Sequence, residues 1–302
     1  MVRVLVTGSS GFVGYWMIAH LRACGDEVLT FPDDLDIRDR AGLDGAVAAL
    51  VPEGIIHLAA QASVGSSWSD ATTTFDTNAM GTLHLLEAAR AAVPGSRVLL
   101  ISSAEVYGLV GAADLPIGED RPFAPVSPYA ASKAAAELLG VQFFLGRGLE
   151  VVRARPFGHT GVGQRPDFVV PSLARQVVEV VRLGRRQLQT GNLEARRDVT
   201  DVRDVVRAYR VLLDRGEPGS VYNVCRGTSV AIDDIARRLL ALAEVDVPLM
   251  VDPARVRPVD QPDLRGDPSR LHAATGWVPD IELDQTLTDV LAHWAMAEEP
   301  PT

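Results

Sequence analysis

Hydrophobic residues in the first half of the chain follow two alternating spacings. Short runs rich in β-branched residues predict buried strands at residues 2–6, 27–31, 54–58, 97–101 and 149–154. Between these runs, apolar residues recur at helical spacing over residues 12–23, 44–50, 77–92 and 128–144. This regular alternation of strand and helix predicts an α/β fold with a doubly wound parallel sheet and right-handed crossovers.

The alternation ends after about residue 155. Helical patterns then cover residues 171–183, 201–213, 232–243 and 283–297, separated by loops rich in proline, glycine and arginine. We predict a Rossmann domain at residues 1–156 and a smaller C-terminal substrate-binding lobe at residues 157–302, part of which returns to the sheet. In such folds, ligands bind in the cleft at the C-terminal edge of the strands.

Composition and charge exclude several classes of partner. The formal net charge of −10 argues against nucleic acid, because binding to its phosphates needs a basic surface. The longest apolar runs are too short to cross a bilayer, so no membrane partner is expected. The N-terminus enters a strand-like run without a basic segment and a signal-type core, which favours a cytoplasmic protein.

Cysteine and histidine give no indication of a metal or redox site. The two cysteines, Cys24 and Cys225, lie in apolar patterns, and we expect both to be buried as small hydrophobic side chains. The six histidines are scattered without the spacing of metal ligands, so no metal is predicted.

A glycine-rich turn follows the first predicted strand. Gly8, Gly11 and Gly14 have the spacing G-x-x-G-x-x-G. Glycine here permits a tight turn, close approach of the backbone to a pyrophosphate, and close packing of helix on strand. The first helical turn, which includes Phe12 and Val13, would direct its free N–H groups at the phosphates. The motif therefore predicts NAD(P) as the cofactor.

The residues after the second strand leave the choice between NAD and NADP open. Asp33 lies at about the distance at which an acidic residue binds the ribose hydroxyls. No arginine between Arg22 and Arg38 could pair with a 2′-phosphate, which slightly favours NAD. Pro32 could shift this geometry, and Asp33 and Asp34 fit a solvated loop equally well.

The reaction centre is predicted at the start of the helix over residues 128–144. Tyr129 and Lys133 are four residues apart and project from one helix face. A lysine ammonium lowers the pKa of a neighbouring phenol, which could then exchange a proton with a substrate oxygen while hydride moves. The alternative is a surface pair. Lys133, however, is the only lysine in the chain, which indicates a need for an ammonium rather than a guanidinium.

Two serines end the fourth predicted strand. Ser103 and Ser102 would lie at the C-terminal edge of the sheet, where a hydroxyl can bond the reacting oxygen. The alternative is that they cap the end of the strand, and this alternative has more weight for Ser102 than for Ser103.

With these residues in place, the chain resembles the extended short-chain dehydrogenase/reductases that modify nucleotide sugars. The resemblance runs nearly end to end and rests on segments 7–14, 57–60, 78–82, 102–108, 129–133 and 155–157. Segments 191–198, 201–204 and 221–225 narrow it to the GDP-mannose branch. That branch contains 4,6-dehydratases and 4-keto-6-deoxy-sugar reductases, and the closest likeness is to the reductases.

The resemblance implies further site residues. Asp36 and Ile37 would lie near the adenine, Pro156 near the nicotinamide, and the rest of the coenzyme would be bordered by Leu58, Ala59, Ala60 and Asn78. The substrate would contact Glu105, His159 and Val169, with its pyrophosphate held by Arg197 and Arg257. Dimerisation through the helices over residues 77–92 and 128–144 is also implied, which predicts a homodimer.

The residues after the fourth strand separate reduction from dehydration. In the family's dehydratases a proton donor and then a glutamate follow the Ser/Thr of that strand. Here Glu105 could be the base, but the donor position is Ala104, whose methyl group cannot donate a proton. We therefore expect reduction of the C4 ketone of a nucleotide-linked 6-deoxy-4-keto-hexose, with GDP as the expected nucleotide. The alternatives are a 4,6-dehydratase, a 4-epimerase, and a non-catalytic regulator that senses NAD(P).

One position departs from the family pattern. Asn usually follows the Pro-Phe of the fifth strand and contacts substrate, whereas this chain has Gly158 and then His159. The loss of this donor is consistent with a different sugar, a different pose, or a contribution from His159.

Overall fold

The computed structural model describes residues 1–256 and 259–297. Its strands, β1 to β13 in chain order, are Arg3–Thr7, Glu27–Thr30, Gly54–His57, Arg97–Ile101, Val151–Pro156, Gly158–Thr160, Leu188–Thr190, Arg196–Arg197, Val199–Asp201, Val221–Val224, Val230–Ala231, Leu249–Val251 and Asp263–Leu264. Its helices, α1 to α11, are Phe12–Ala23, Arg40–Leu50, Val64–Ser67, Ala71–Phe75, Gly81–Ala92, Pro128–Arg147, Val169–Leu183, Val202–Arg215, Ile232–Leu242, Ser269–Thr275 and Leu283–Met296.

Six strands form the central parallel sheet, in the order β10-β5-β4-β3-β1-β2. The five strands predicted from the first half of the sequence are all present, and the predicted doubly wound α/β fold is confirmed. The sixth strand, β10, comes from the second half of the chain and pairs with β5. The division of the chain at residue 156 stays a prediction.

Apolar side chains alternate across the sheet and bury one helical layer on each face. Along β1, Val4 and Val6 belong to the core under α1 and α8, whereas Leu5 belongs to the core under α2, α5 and α6. A separate core lies among α7, α9 and α11. None of the helices in the described part of the chain combines the length and hydrophobicity that crossing a bilayer requires.

The region predicted as one helix over residues 77–92 is more complex. A π-helical turn at Asp76–Met80 precedes α5, and the short helices α3 and α4 come before it. Asn78 lies in this π-helical turn. The spacing of hydrophobic residues predicted a single helix here and gave no sign of the turn. Such turns often occur at functional sites.

The expectation that both cysteines are buried is wrong for Cys24. Cys225 is buried, but Cys24 is exposed and follows α1, where its Sγ lies 3.6 Å from Nε2 of His20. Cys24 is the C-cap residue of α1, directly after the last helical residue Ala23, where its side chain reaches solvent.

Candidate active site

The glycine turn between β1 and α1 is closely packed against the end of β3. Gly8 has φ of +67°, and a Cβ there would lie 2.8 Å from the amide nitrogen of Ala59. At Gly14 a Cβ would lie 2.7 Å from the carbonyl oxygen of Ser9. Gly11 is the N-cap of α1 and makes no side-chain capping bond, so the N–H groups of Phe12 and Val13 face outward from the helix end. These residues fit a dinucleotide pyrophosphate.

The two residues expected near an adenine have different surroundings. Ile37 is buried against Gly81, where a Cβ would lie 2.9 Å from the Ile37 side chain. Asp36 forms a 2.6 Å ion pair with Arg38, which lowers the pKa of Asp36 to about 2. Asp33 is exposed on the loop before them. Arg38, the first arginine after Arg22, is thus paired with Asp36 in the region expected near the adenine.

Tyr129 and Lys133 lie in the first two turns of α6. Ser127 caps this helix by accepting a 3.1 Å hydrogen bond from the Ala130 amide, and Pro128 occupies its first turn. Both Tyr129 and Lys133 are buried, and Lys133 Nζ donates a 2.7 Å hydrogen bond to the Ile101 carbonyl oxygen. The predicted pair therefore lies at the C-terminal end of β4 rather than on the surface.

Burial dominates the pKa values of this pair. It raises the pKa of Tyr129 to about 12, while the hydrogen bond with Ser103 acts in the opposite direction. The net shift is therefore upward, opposite to the direction expected from the charge of Lys133 alone, because the burial of the phenol dominates. Burial also lowers the pKa of Lys133 to about 8, against the effect of Glu137.

Ser103 follows β4 and bonds in two directions. Its hydroxyl hydrogen-bonds Tyr129 and also accepts a 3.2 Å bond from the amide of Glu105. Through this second bond Ser103 caps the 3₁₀ turn Ala104–Tyr107. The Glu105 side chain is half-buried, and its charge raises the pKa of Tyr129. Ala104 is buried in an apolar cluster with Val106 and Phe157.

A buried ionic cluster supports α6 from behind. The Arg155 guanidinium donates to both oxygens of Glu137 at 2.7 to 3.1 Å and to the Tyr107 hydroxyl at 2.9 Å. Tyr107 in turn donates a 2.7 Å bond to Asn223 on β10. Glu137 is two turns after Tyr129, so this cluster fixes the catalytic helix against β5 and β10. The sequence drew attention to Arg155 only as part of a motif.

The Gly158 position is filled by backbone. A Cβ at Gly158 would lie 2.8 Å from the Asp198 carbonyl oxygen. Asp198 is itself held, because its carboxylate accepts bonds of 2.8 and 2.9 Å from the amides of Arg226 and Gly227. The imidazole of His159 is half-buried, stacks on Phe12 at 6.4 Å between ring centroids, and its Nδ1 lies 3.1 Å from the Phe157 carbonyl oxygen.

The residues expected at the substrate pyrophosphate are less free than the sequence indicates. Arg197 forms an ion pair with Asp260, and its Nη1 donates to the carbonyl oxygens of Arg196 and Gln261 at 2.9 and 2.7 Å. Arg257 lies outside the described residues. Val169, the first residue of α7, is 42% exposed.

The polar residues that connect these parts received no role from the sequence. Pro156 ends β5, which extends two residues beyond the predicted strand, and Leu58, Ala59 and Ala60 follow β3, which ends one residue before the predicted strand end. Thr7, His57 and Thr82 belong to the segments that carry the family resemblance, and all three are buried, with His57 hydrogen-bonded to both threonines. A polar residue at the end of an otherwise apolar strand is the signal that could have identified Thr7 and His57.

Comparison with known proteins identifies the family. The family model for GDP-mannose 4,6 dehydratase matches residues 32–290. The chain belongs to this family. A GDP-6-deoxy-D-mannose reductase of Pseudomonas aeruginosa is 41% identical over 295 residues, 97% of each chain. A GDP-mannose 4,6-dehydratase of Vibrio cholerae is 29% identical over 287 residues, 85% of this chain and 76% of the relative.

Solved structures agree with this assignment. The structure of RMD from Pseudomonas aeruginosa complexed with NADPH has a TM-score of 0.91 and 38% identity, covering 98% of this chain and 99% of the other. A Thermus thermophilus UDP-glucose 4-epimerase in complex with NAD has a TM-score of 0.88 and 30% identity, with the same coverage. These comparisons confirm that the chain resembles the extended short-chain dehydrogenase/reductases that modify nucleotide sugars.

Within residues 1–256 and 259–297, no group of three or more His, Cys, Asp or Glu side chains is arranged to hold a metal ion.

Proposed function

We propose that the protein uses NAD(P)H to reduce the C4 ketone of a nucleotide-linked 6-deoxy-4-keto-hexose, with GDP as the nucleotide. The observation that carries this proposal is the meeting of Ser103, Tyr129 and Lys133 at the end of β4, beside the glycine turn. The 41% identity to a GDP-6-deoxy-D-mannose reductase supports the substrate class.

The residues of the proposed reaction centre have different tasks. A reduced nicotinamide, when bound, supplies the hydride. Ser103 orients the ketone, and Tyr129 gives its proton to the resulting alkoxide. A Tyr129 pKa of about 12 supports this direction of transfer, because the phenol carries its proton at neutral pH. Lys133 holds the ribose and supplies a positive charge beside Tyr129 while its ammonium is protonated.

The coenzyme would lie along the C-terminal edge of β1, β3 and β4. The residues proposed to border it are Gly8, Gly11, Phe12, Val13, Asp33, Asp36, Ile37, Leu58, Ala59, Ala60, Asn78, Tyr129, Lys133 and Pro156. The close approach of Gly8 to Ala59 and the N-terminus of α1 without a side-chain cap support this arrangement. On the substrate side we propose Glu105, His159, Val169, Arg197 and Arg257.

Reduction is favoured over dehydration by the surroundings of Ala104. Its methyl group is packed in an apolar cluster with Val106 and Phe157, so the side chain at position 104 supplies no proton donor for dehydration. The second candidate is a 4,6-dehydratase or 4-epimerase, which the 29% identity to a GDP-mannose 4,6-dehydratase supports.

The test offers GDP- and dTDP-linked 4-keto-6-deoxy sugars with NADPH and with NADH. A reductase consumes reduced coenzyme in a one-to-one ratio with product, which NMR identifies together with the configuration at C4. Tyr129→Phe should lower turnover by about 10²-fold or more while leaving coenzyme binding intact. Turnover of GDP-mannose without net consumption of coenzyme would contradict the proposal and favour the dehydratase.

A homodimer in the cytoplasm is the second part of the proposal. Leu138 and Leu145 lie seven residues apart on one face of α6 and are 55% and 76% exposed. Phe75 and Met80, from the segment that packs beside α6, are also exposed. Exposed apolar side chains on neighbouring elements are typical of a protein interface, and the family resemblance implies dimerisation through residues 77–92 and 128–144.

A further inference from the structure

A chain of hydrogen bonds passes through His57, the last residue of β3. Its Nδ1 lies 2.8 Å from the Thr7 hydroxyl oxygen, and its Nε2 lies 3.0 Å from the Thr82 hydroxyl oxygen. His57 is 3% exposed, and both threonines are buried as well. A buried imidazole with a partner on each nitrogen is a fixed link between the two elements that carry those partners.

The positions of the hydrogens follow from counting donors. The Thr82 hydroxyl has one hydrogen, which it donates to the Asn78 carbonyl oxygen at 2.6 Å. It must therefore accept from His57, so the imidazole carries a hydrogen on Nε2. The Thr7 oxygen accepts a 3.1 Å bond from the Ala59 amide and has its own hydrogen left to donate to Nδ1. Every group in this chain of bonds is satisfied only by the neutral imidazole with Nε2–H.

The charge of the neighbourhood favours the same form. Burial is the main cause that lowers the pKa of His57 to about 3, and the positive charge of Lys133 adds to it. The imidazole therefore stays neutral over the whole range in which an enzyme of this kind would work.

The two ends of the chain of bonds lie at different parts of the site. One end is the Ala59 amide, against which the glycine turn at Gly8 is packed. The other end is Asn78 in the π-helical turn. The Asn78 side-chain amide donates a 2.9 Å bond to the Ser132 hydroxyl, and Ser132 donates a 2.8 Å bond to the Tyr129 carbonyl oxygen.

We propose that His57, as the neutral Nε2–H imidazole, is a positioning residue that fixes the coenzyme turn relative to the helix that carries Tyr129 and Lys133. It acts through Thr7 and Ala59 on the coenzyme side and through Thr82, Asn78 and Ser132 on the side of the proton donor. This inference rests on the proposed function, because the distance it fixes is the one between coenzyme and proton donor.

The first test measures the ring nitrogens of His57 in the unmodified protein. Nitrogen-15 NMR of histidine-labelled protein distinguishes Nε2–H, Nδ1–H and the doubly protonated ring, and His57→Gln assigns the signal. The proposal expects a neutral Nε2–H ring whose shifts stay constant from neutral to mildly acidic pH. A hydrogen on Nδ1, or a charged ring at neutral pH, would overturn it.

The second test separates the two ends by isosteric substitution. Thr7→Val should weaken NADPH binding about tenfold, and Thr82→Val should slow single-turnover hydride transfer at saturating NADPH about tenfold, since each removes one hydroxyl together with its two buried hydrogen bonds. Thr7→Ser and Thr82→Ser keep the hydroxyl and should recover most of each loss. Valine variants that match the unmodified protein in both quantities, or serine variants as impaired as valine, would overturn the proposal.

These outcomes are distinguishable from failure of the proposed function. If the unmodified protein neither binds NADPH nor reduces a keto sugar, the function is wrong, yet the nitrogen measurement still decides the form of His57. If a valine variant does not fold, the same nitrogen measurement in the unmodified protein decides the proposal.

Discussion

Lys133 Nζ donates a 2.7 Å hydrogen bond to the carbonyl oxygen of Ile101, the last residue of β4. The bond joins the helix that carries Tyr129 to the strand that leads into Ser103. Lys133, the only lysine in the protein, is buried, and burying a charged ammonium costs free energy of folding. The next two predictions depend on this cost.

Lys133→Met should raise stability near neutral pH. Burial lowers the folded-state pKa of Lys133 from 10.5 to about 8, so the unfolded chain binds more protons between these values. Burying the protonated lysine therefore lowers the free energy of unfolding by its full amount below about pH 8. This loss of stability disappears as the pH rises toward 10.5. We expect a free energy of unfolding about 2 kcal/mol higher in the variant at neutral pH, partly offset by the unpaired Ile101 carbonyl. Urea titration at neutral pH and at about pH 10 tests this, with Arg147→Met, on the exposed end of the same helix, as control. The prediction is wrong if the gain in free energy of unfolding of the variant over the unmodified protein is smaller at neutral pH than at about pH 10.

The rate of ketone reduction should fall as pH rises through about 8, the pKa of Lys133. Above that pH the ammonium loses the charge that holds the ribose and stabilises the phenolate formed on proton transfer. Tyr129, with a pKa of about 12, keeps its proton and adds no second limb in this range. The measurement is kcat/KM for the keto sugar against pH at saturating coenzyme. A decline with a midpoint near 10 would contradict the prediction, because the controlling group would then lack the lowered pKa of the buried Lys133.

Gly158→Ala should impair substrate binding. The added Cβ would meet the Asp198 carbonyl oxygen at 2.8 Å, and the Asp198 carboxylate is tied to two backbone amides, so β9 cannot yield without breaking them. Since Arg197 immediately precedes Asp198, we expect KM for the keto sugar to rise about tenfold with a smaller change in kcat. Gly95→Ala is the matched control, because nothing lies within 4 Å of a Cβ there. Equal kinetics in both variants would contradict the prediction.

Glu137→Leu should destabilise the protein by about 3 kcal/mol, because it leaves the guanidinium of Arg155 buried without a carboxylate. Chemical unfolding measures the loss. Arg153 also forms a 3.3 Å ion pair with Glu137. The double variant Glu137→Leu/Arg155→Leu removes Glu137 and Arg155 and should recover part of the loss, because Arg153 alone still lacks its carboxylate. If the double variant is less stable than the single one, the charge imbalance is not the cause.

Leu138→Arg/Leu145→Arg should convert a dimer into a monomer. Arginines on both subunits would face one another across the proposed α6 interface, where they would be desolvated without partners. Sedimentation or light scattering gives the mass in solution. Leu183→Arg is the control, because Leu183 is 65% exposed on α7, away from that face. A protein that is monomeric before substitution would refute the proposed homodimer.

Elements with strong local patterns were predictable from the sequence. Helix α1 has the predicted bounds of Phe12 and Ala23, because a glycine turn and an apolar face both define it. The pair Tyr129 and Lys133 was found by its spacing on one helix, which is a local property. The start of α2 at Arg40 was missed, because it is set by a capping bond from the Gly42 amide to the Asp39 side chain rather than by apolar spacing.

Features that depend on distant parts of the chain were not predictable in the same way. The pairing of Arg197 with Asp260 joins residues 63 positions apart, and nothing in either local sequence reports it. The direction of the Tyr129 pKa shift depends on burial by the whole fold, which outweighs the charge of the nearby lysine. The contact of Gly158 with Asp198 likewise needs two strands to meet, although the absence of a side chain at 158 was visible.

The place of β10 has a consequence for dividing the protein. This strand covers the outer side of β5 and supplies Asn223 to the Tyr107 hydroxyl. A fragment ending at Pro156 would lack it, and β5 would become an unprotected edge whose free N–H and C=O groups can pair with strands from other molecules. Isolated from the remainder, the nucleotide-binding half is therefore expected to aggregate rather than fold autonomously.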